Sequence, residues 1–192
     1  LNSGTFTLGS FNNYSKISDE TILVWSKILK KIKNSKLILK SSVSYSEIHF
    51  KELFDKEGVL NKVTFKNRSN NFEEHINLYK DIDLCLDTFP YTGVTTTCEA
   101  LWMNVPVISM AGFNFNSRCG ESILINSNLK NLVAKNKDGY ISKVVSFAND
   151  LNKLEQTRKF IFDEVLKTNT FNTKKFAVNF WKSILDTYTN HK

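Results

Sequence analysis

Residues 81–110 read DIDLCLDTFPYTGVTTTCEALWMNVPVISM, and this stretch decides the fold. The run DIDLCLDTF (81–89) predicts a strand, and a proline–tyrosine turn follows it. The run TTTCEALWM (95–103) has a helical pattern, and PVISM (106–110) predicts a second strand. A strand, a helix and a strand in this order are typical of a parallel sheet that is covered by helices.

The rest of the chain repeats this alternation of short strands and helices. Further strands are predicted at GTFTLGSF (4–11), KLILK (36–40), KVTFK (62–66) and NLVAK (131–135). Helices are predicted from Ser18, from Ser46 with Ile48 on its apolar face, at 71–80, at 117–124, and from about Asp138 almost to the end, with breaks near 149–150 and 168–173. We therefore expect a single α/β domain over residues 1–192, with a Rossmann-like doubly wound parallel sheet.

The composition is that of an ordinary globular domain, with 41% hydrophobic residues in 192 and a net charge of +7. The excess charge is mostly lysine spread over helix faces, without a nucleic-acid-binding motif, so we expect no nucleic-acid partner. No apolar stretch has the length of a membrane span, so no membrane partner is expected. Three cysteines without paired spacing argue against disulfides and zinc and favour a reduced, cytoplasmic context.

The threonine run Thr95–Thr97 is unusual at a helix start, because threonine is a mediocre helix former. Ligands of parallel α/β sheets bind at the carboxyl ends of the strands, where this run is expected to lie. Gly93 permits close approach of a ligand, and the hydroxyls lie beside the unpaired N–H groups of the first turn, which suits a phosphate. Capping of the helix by a threonine hydroxyl explains the run equally well, so both interpretations stay open.

Glu99 follows one turn later, on the same helix face as Thr95 and Thr96. A carboxylate there would repel a phosphate but suits the diol of a ribose. The alternative is an ordinary surface glutamate near a helix N-terminus.

Several motifs in a fixed order make the chain similar to the SPINDLY / O-linked N-acetylglucosaminyltransferase family, over nearly all 192 residues. They are LGSFNNYSKISDETILVWSKILKKIKNSKLILKSS, EEHINLYKDIDLCLD, DIDLCLDTFPYTGVTTTCEALWMNVPVISMAG, SRCGESIL, NLVAKN and FNTKKF. The resemblance implies the C-terminal, nucleotide-sugar-binding half of a GT-B glycosyltransferase, which has two Rossmann-like domains. It also implies that an N-terminal catalytic half, and often tetratricopeptide repeats, belong to the same full-length protein.

The resemblance assigns Lys16 a catalytic role, because it matches the lysine that contacts the donor diphosphate and stabilises the leaving group. Asn13 matches a polar position beside the same phosphates. Judged on the sequence pattern alone, Lys16 would be read as a surface lysine before a helix.

The remaining site residues follow from the same match. Thr95 and Thr96 match threonines that hold the diphosphate, with Gly93 and Thr97 in the same turn. Glu99 matches an acidic ribose contact. His75 matches a histidine beside the nucleotide base, although a lone histidine on a half-apolar helix is otherwise simply packed there.

Two positions depart from the family pattern. Val94 stands where some relatives have histidine or a small polar residue, and Phe115 stands where many bacterial relatives have histidine. We therefore leave the contacts to the sugar and to the acceptor unassigned. The DID segment (81–83) lies at the start of a strand and is interpreted as structural rather than metal-binding. The resemblance to GT-B enzymes also implies that no metal is required, and no cofactor is expected.

The predicted function is donor binding in a protein O-glycosyltransferase that moves GlcNAc from UDP-GlcNAc, or fucose from GDP-fucose, onto Ser/Thr of an acceptor protein. The alternative is a non-catalytic nucleotide- or sugar-binding module. The acceptor base is expected outside this chain, which begins as a strand already under way, so the isolated chain is expected to be inactive.

The C-terminal helices, about 138–189, are predicted to pack against the missing N-terminal half. The last one carries an apolar stripe of Phe176, Phe180 or Trp181, Ile184 and Tyr188. Other aromatic residues on helix faces are predicted to be core, namely Trp25, Trp102, Phe147 and Phe160.

Overall fold

The computed structural model describes residues 4–40 and 44–190. Its described strands form one parallel six-stranded sheet in the order β3-β2-β1-β4-β5-β6. The strands are β1 Phe6–Ser10, β2 Ser35–Lys40, β3 Val63–Lys66, β4 Leu84–Leu86, β5 Val107–Met110 and β6 Val133–Ala134. This order confirms the Rossmann-like doubly wound sheet, in which the strand sequence reverses between β1 and β4.

Helices follow the strands and cover both faces of the sheet. They are α1 Asp19–Lys31, α2 Ser44–Lys56, α3 Phe72–Asn77, α4 Thr95–Trp102, α5 Phe115–Asn126, α6 Lys137–Asn149, α7 Leu151–Asp163 and α8 Thr173–Asn190. Short 3-10 turns occur at Tyr14–Lys16, Leu60–Lys62, Leu78–Asp81, Lys130–Leu132 and Val165–Lys167. Residues 1–3 lie outside the described residues.

Local chemistry explains where α1 begins and how it is oriented. The Ser18 hydroxyl accepts a hydrogen bond from the backbone N–H of Thr21, which makes Ser18 the predicted cap. Trp25 on the inner face of α1 is fully buried, and its indole N–H donates to the hydroxyl of Tyr140 on α6. That hydroxyl donates in turn to the backbone carbonyl of Asp87. Two helices are therefore tied to the segment that follows β4.

The structure corrects the predicted bounds of β4, which covers 84–86 rather than 81–89. The Arg158 guanidinium donates to the carbonyls of Ile82 and Asp83, and the Asp83 carboxylate accepts from the backbone N–H of Thr7. The backbone N–H of Asp83 still donates to the Thr7 carbonyl of β1, and these side-chain bonds hold the residues before Leu84 in place. The structural interpretation of the DID segment agrees with these contacts.

Some predicted core positions are wrong. Ile48 is exposed because Phe50 and Phe54, one turn apart, form the buried face of α2. Trp102 is exposed at the last position of α4, and Phe160 is exposed beside the buried Ile161 of α7. Trp25 and Phe147 are buried as predicted.

Helix α8 has no buried residue, although it carries a run of large apolar side chains. Its exposed apolar residues are Phe176, Val178, Phe180, Trp181, Ile184, Leu185 and Tyr188. Within the described residues, no helix combines the length and the apolarity that a membrane span requires. An exposed apolar stripe of this extent is typical of an interaction surface.

We expect a variant that ends at Asn172 to keep its fold, because α8 contributes no buried residue to the core. A loss below about 1 kcal/mol corresponds to a melting temperature within about 4 °C of the full chain. Thermal unfolding followed by circular dichroism measures this difference. A loss of cooperative unfolding in the shortened variant would show that α8 belongs to the core.

Candidate functional site

The segment after β4 folds around the carboxylate of Asp87, which is 1% exposed. Its Oδ1 accepts from the backbone N–H of Gly93 at 2.6 Å and of Thr88 at 2.9 Å. Its Oδ2 accepts from the Ser109 hydroxyl on β5 at 2.6 Å. One buried side chain thus closes residues 87–93 into a turn and fixes the turn to the neighbouring strand.

Burial raises the pKa of Asp87 to about 6, and the hydrogen bonds that it accepts, with the charge of Lys16, limit the rise. These hydrogen-bond partners stabilise the buried carboxylate, because burying a carboxylate without partners costs free energy. Asp87 was not among the predicted site residues. The only available signal was its place at the carboxyl end of a predicted strand.

The turn approaches the start of α4 too closely for any side chain at Gly93. A Cβ built there would lie 2.6 Å from Thr96 Oγ1 and 2.9 Å from Thr97 Oγ1. Glycine at this position therefore avoids a clash with these hydroxyls. The close approach of a ligand at Gly93 stays a prediction.

The threonine hydroxyls do not cap α4, so the capping interpretation is wrong. The N-cap is Val94, which has no side-chain capping bond, and the first helical bond runs from Cys98 N–H to the Val94 carbonyl. The N–H groups of Thr95, Thr96 and Thr97 precede that bond and have no partner within α4. Thr96 Oγ1 instead donates to Asn12 Oδ1 at 2.8 Å. The helix start keeps its partial positive charge uncapped.

Lys16 lies beside the same turn, although 76 residues separate it from Thr92. Its Nζ donates to the Thr92 carbonyl at 3.2 Å and lies 4.2 Å from the centroid of the Tyr91 ring. The 3-10 turn after β1 therefore brings a cation to the start of α4. A lysine ammonium and uncapped N–H groups at one sheet edge can together hold an anion.

The structure places Asn12, rather than Asn13, against α4. The Asn13 Oδ1 accepts from the backbone N–H of Ser15 and caps the 3-10 turn, and the residue is exposed. Asn12 is buried and meets Thr96. Two adjacent asparagines are indistinguishable in the sequence, and only the turn geometry separates them.

His75 and Glu99 are brought together, one from α3 and one from α4. His75 Nε2 lies 2.9 Å from Glu99 Oε2, and the Tyr79 hydroxyl lies 3.3 Å from the same oxygen and 3.3 Å from the Thr96 carbonyl. Both side chains are less than one fifth exposed, at 18% and 17%. The predicted ribose and base contacts therefore form one polar cluster, one turn of helix from the threonines.

Two cavities adjoin these groups. One of about 630 Å³ is lined by Lys40, Arg68, Ser69, Asn70, Asn71, Phe72 and His75. The other, of about 680 Å³, is lined by Val94, by Phe113 and Phe115, which are each 84% exposed, and by residues along α5. Cys85, Cys98 and Cys119 are free, and the described residues hold no metal-binding cluster of His, Cys, Asp or Glu.

We predict that Asp87→Asn removes a pH dependence of stability. The pKa of about 6 in the folded chain exceeds the value of about 3.9 for an unfolded aspartate, so the folded state binds more protons between them. The wild type should thus lose about 2 kcal/mol of stability, relative to the variant, as the pH rises from 4 to 7. Urea unfolding at several pH values measures this difference.

Asparagine keeps the shape and can still pair with Gly93, Thr88 and Ser109. The matched control is Asp186→Asn on the exposed α8, whose stability should follow the wild type at every pH. Equal pH dependence in the wild type and in Asp87→Asn would contradict the prediction.

Comparison with known proteins gives the same fold and one family. Residues 1–180 match the family model of glycosyl transferase family 41. The chain is 34% identical over 183 residues to the protein named probable UDP-N-acetylglucosamine–peptide N-acetylglucosaminyltransferase SPINDLY of Hordeum vulgare, and this alignment covers 92% of this chain and 19% of that protein. The chain is 29% identical over 169 residues to the UDP-N-acetylglucosamine–peptide N-acetylglucosaminyltransferase of Caenorhabditis elegans, and that alignment covers 88% of this chain and 15% of the nematode protein. The chain thus spans about a fifth of the length of these relatives, or less.

Solved structures agree in fold. A mutant of the Thermobaculum terrenum O-GlcNAc transferase matches with a TM-score of 0.86 and 27% identity, over 97% of this chain and 36% of that chain. WaaG, a glycosyltransferase involved in lipopolysaccharide biosynthesis, matches with a TM-score of 0.72 at 13% identity, over 93% of this chain and 47% of that chain, and shows the fold alone. The predicted fold, the C-terminal half of a GT-B glycosyltransferase, is confirmed by these neighbours. The family match over residues 1–180 and the plant relative at 34% identity show that the chain belongs to glycosyl transferase family 41.

Proposed function

We propose that the chain is the donor-binding domain of a protein O-glycosyltransferase and holds the diphosphate of a nucleotide sugar at the start of α4. The observation that carries the proposal is the convergence of Lys16 with an uncapped helix start at the switch point of the sheet. The family membership supplies the reaction class, which is glycosyl transfer.

In the proposed complex, the diphosphate accepts hydrogen bonds from the N–H groups of Thr95 and Thr96 and from the Thr95 hydroxyl, while the Thr96 hydroxyl keeps its bond to Asn12. Lys16 adds a full positive charge from the other side of the turn. As the bond to the sugar breaks, negative charge grows on the leaving diphosphate, and fixed positive groups stabilise it most at that point. The proposed chemistry therefore needs no metal ion.

The nucleoside is proposed to bind at the cluster of His75 and Glu99. All hydrogen bonds that the described residues donate to the Glu99 carboxylate reach Oε2, which leaves Oε1 for a ribose hydroxyl. The cavity beside His75, of about 630 Å³, is large enough for a base. The cavity beside Val94 and Phe115 is proposed to serve the sugar or the acceptor.

The full-length protein is proposed to transfer GlcNAc from UDP-GlcNAc, or fucose from GDP-fucose, to Ser/Thr hydroxyls of proteins. The names of the plant and nematode relatives support the first donor. The exposed stripe of α8 supports a missing N-terminal half as the surface against which this helix packs. Tetratricopeptide repeats in the same protein and a cytoplasmic location stay predictions.

Lys16→Ala should weaken the binding of UDP and GDP about tenfold or more, because it removes a charge-assisted contact worth about 1.5–3 kcal/mol. Calorimetric titration of the chain with UDP, GDP, UDP-GlcNAc and GDP-fucose measures the affinities and ranks the donors. The control is Lys31→Ala. Lys31 is an exposed lysine in the last turn of α1, whereas Lys16 lies before the first turn of that helix. Equal affinities in the wild type and in Lys16→Ala would count against the proposed site.

The isolated chain is expected to bind the donor without transferring the sugar, because the acceptor base is proposed to lie in the N-terminal half. Mass spectrometry of an acceptor peptide incubated with the chain and each donor detects transfer. Catalytic turnover by these 192 residues would place the base within this domain.

A further inference from the structure

Lys40 is a buried cation to which neither the sequence motifs nor the comparisons assign a role. It is the last residue of β2, at the same sheet edge as the site, and is 7% exposed. Its Nζ lies within hydrogen-bonding distance of His75 Nδ1 and 5.9 Å from the centroid of the Phe11 ring. Burial lowers its pKa, Glu99 raises it, and Arg68 lowers it further. A buried ammonium group requires a specific partner, and here the partner is an imidazole.

This contact determines which nitrogen of His75 carries the proton. An ammonium group has donors and no acceptor, so Nδ1 of the ring must accept. The neutral imidazole then carries its proton on Nε2, which lies 2.9 Å from Glu99 Oε2. The hydrogen bonds therefore run in one direction, from Lys40 to His75 and from His75 to Glu99.

The orientation of the Glu99 carboxylate is constrained as well. The Tyr79 hydroxyl lies 3.3 Å from the same Oε2 that receives the imidazole N–H and 3.3 Å from the Thr96 carbonyl, and its one proton can go to either oxygen. Phe11 packs edge-on against Tyr79 at a centroid distance of 4.7 Å, which limits rotation of the phenol. The imidazole N–H, with the Tyr79 hydroxyl beside it, holds the carboxylate by Oε2 and leaves the other oxygen to a ligand.

We propose that Lys40 is a positioning residue: it holds His75 in the neutral Nε2–H tautomer, and His75 in turn orients Glu99 to receive the ribose of the nucleotide. The ribose part of this inference rests on the proposed function, whereas the tautomer does not. Without Lys40, Nδ1 loses the donor that keeps it unprotonated, so the ring proton is no longer held on Nε2. The ring then no longer donates from Nε2 alone.

Nitrogen-15 NMR of the histidine rings tests the tautomer directly, because protonated and unprotonated ring nitrogens differ widely in chemical shift. In the wild type, His75 should show a protonated Nε2 and an unprotonated Nδ1 near neutral pH. In Lys40→Met, the Nδ1 signal should move toward that of a protonated nitrogen. His75→Gln assigns the signals, and His49, paired with Asp19 on the surface, is the internal reference.

The matched control is Lys36→Met, a partly exposed lysine near the other end of β2, which should leave the His75 signals as in the wild type. A wild-type ring protonated on Nδ1 would overturn the inference, and this test needs no variant to fold. Unchanged His75 signals in a folded Lys40→Met would overturn it as well.

Ligand binding separates the two proposals. In Lys40→Met, calorimetry should show about three- to tenfold weaker binding of UDP or GDP, whichever binds the wild type more tightly, and unchanged binding of inorganic pyrophosphate. Equal losses for both ligands would overturn the role in ribose binding. If the wild type binds neither nucleotide, the proposed function fails. The nitrogen-15 NMR signals of the His75 ring then still test whether Lys40 holds the tautomer.

Discussion

The carboxylate of Asp87 is buried under the turn after β4, and the geometry of the site depends on the bonds that it accepts. Leaving a buried backbone N–H such as that of Gly93 without a partner would cost about 1–3 kcal/mol. Asp87 satisfies that N–H and the N–H of Thr88 while holding the Ser109 hydroxyl of the next strand. The hydrogen bonds of one side chain thus define the turn, and α4 begins directly after it.

The sheet topology then brings distant cations to this helix start. Because the strand order reverses between β1 and β4, the segments that follow these two strands meet at one edge. Lys16 comes from the first segment, and the uncapped N–H groups of α4 come from the second. The end of β2 contributes Lys40 at the same edge, next to His75. Positive groups from three parts of the chain therefore converge on a region that also holds the buried Asp87 and the hydrogen-bonded Glu99. Both carboxylates accept hydrogen bonds from donors of their own.

The sequence was sufficient for features that depend on local pattern. The alternation of strands and helices, the Ser18 cap, and the position of the threonines at a carboxyl edge all follow from spacing and propensity, and the structure has them. Features that depend on long-range geometry were missed. Asn12 and Asn13 are equivalent until a 3-10 turn points one inward, and the phase of α2 depends on Phe50 and Phe54 rather than Ile48. Lys40 meets His75 across 35 residues, which no local motif reveals.

The central claim is that the amide groups at the start of α4 hold the diphosphate. Two-dimensional 15N–1H NMR spectra recorded during titration of the chain with UDP and with GDP test this claim most directly. The account predicts that the amides of Gly93, Thr95, Thr96 and Thr97 show the largest shifts and saturate together. It is contradicted if these amides stay unchanged while a nucleotide binds elsewhere, for example along the cavity beside α5.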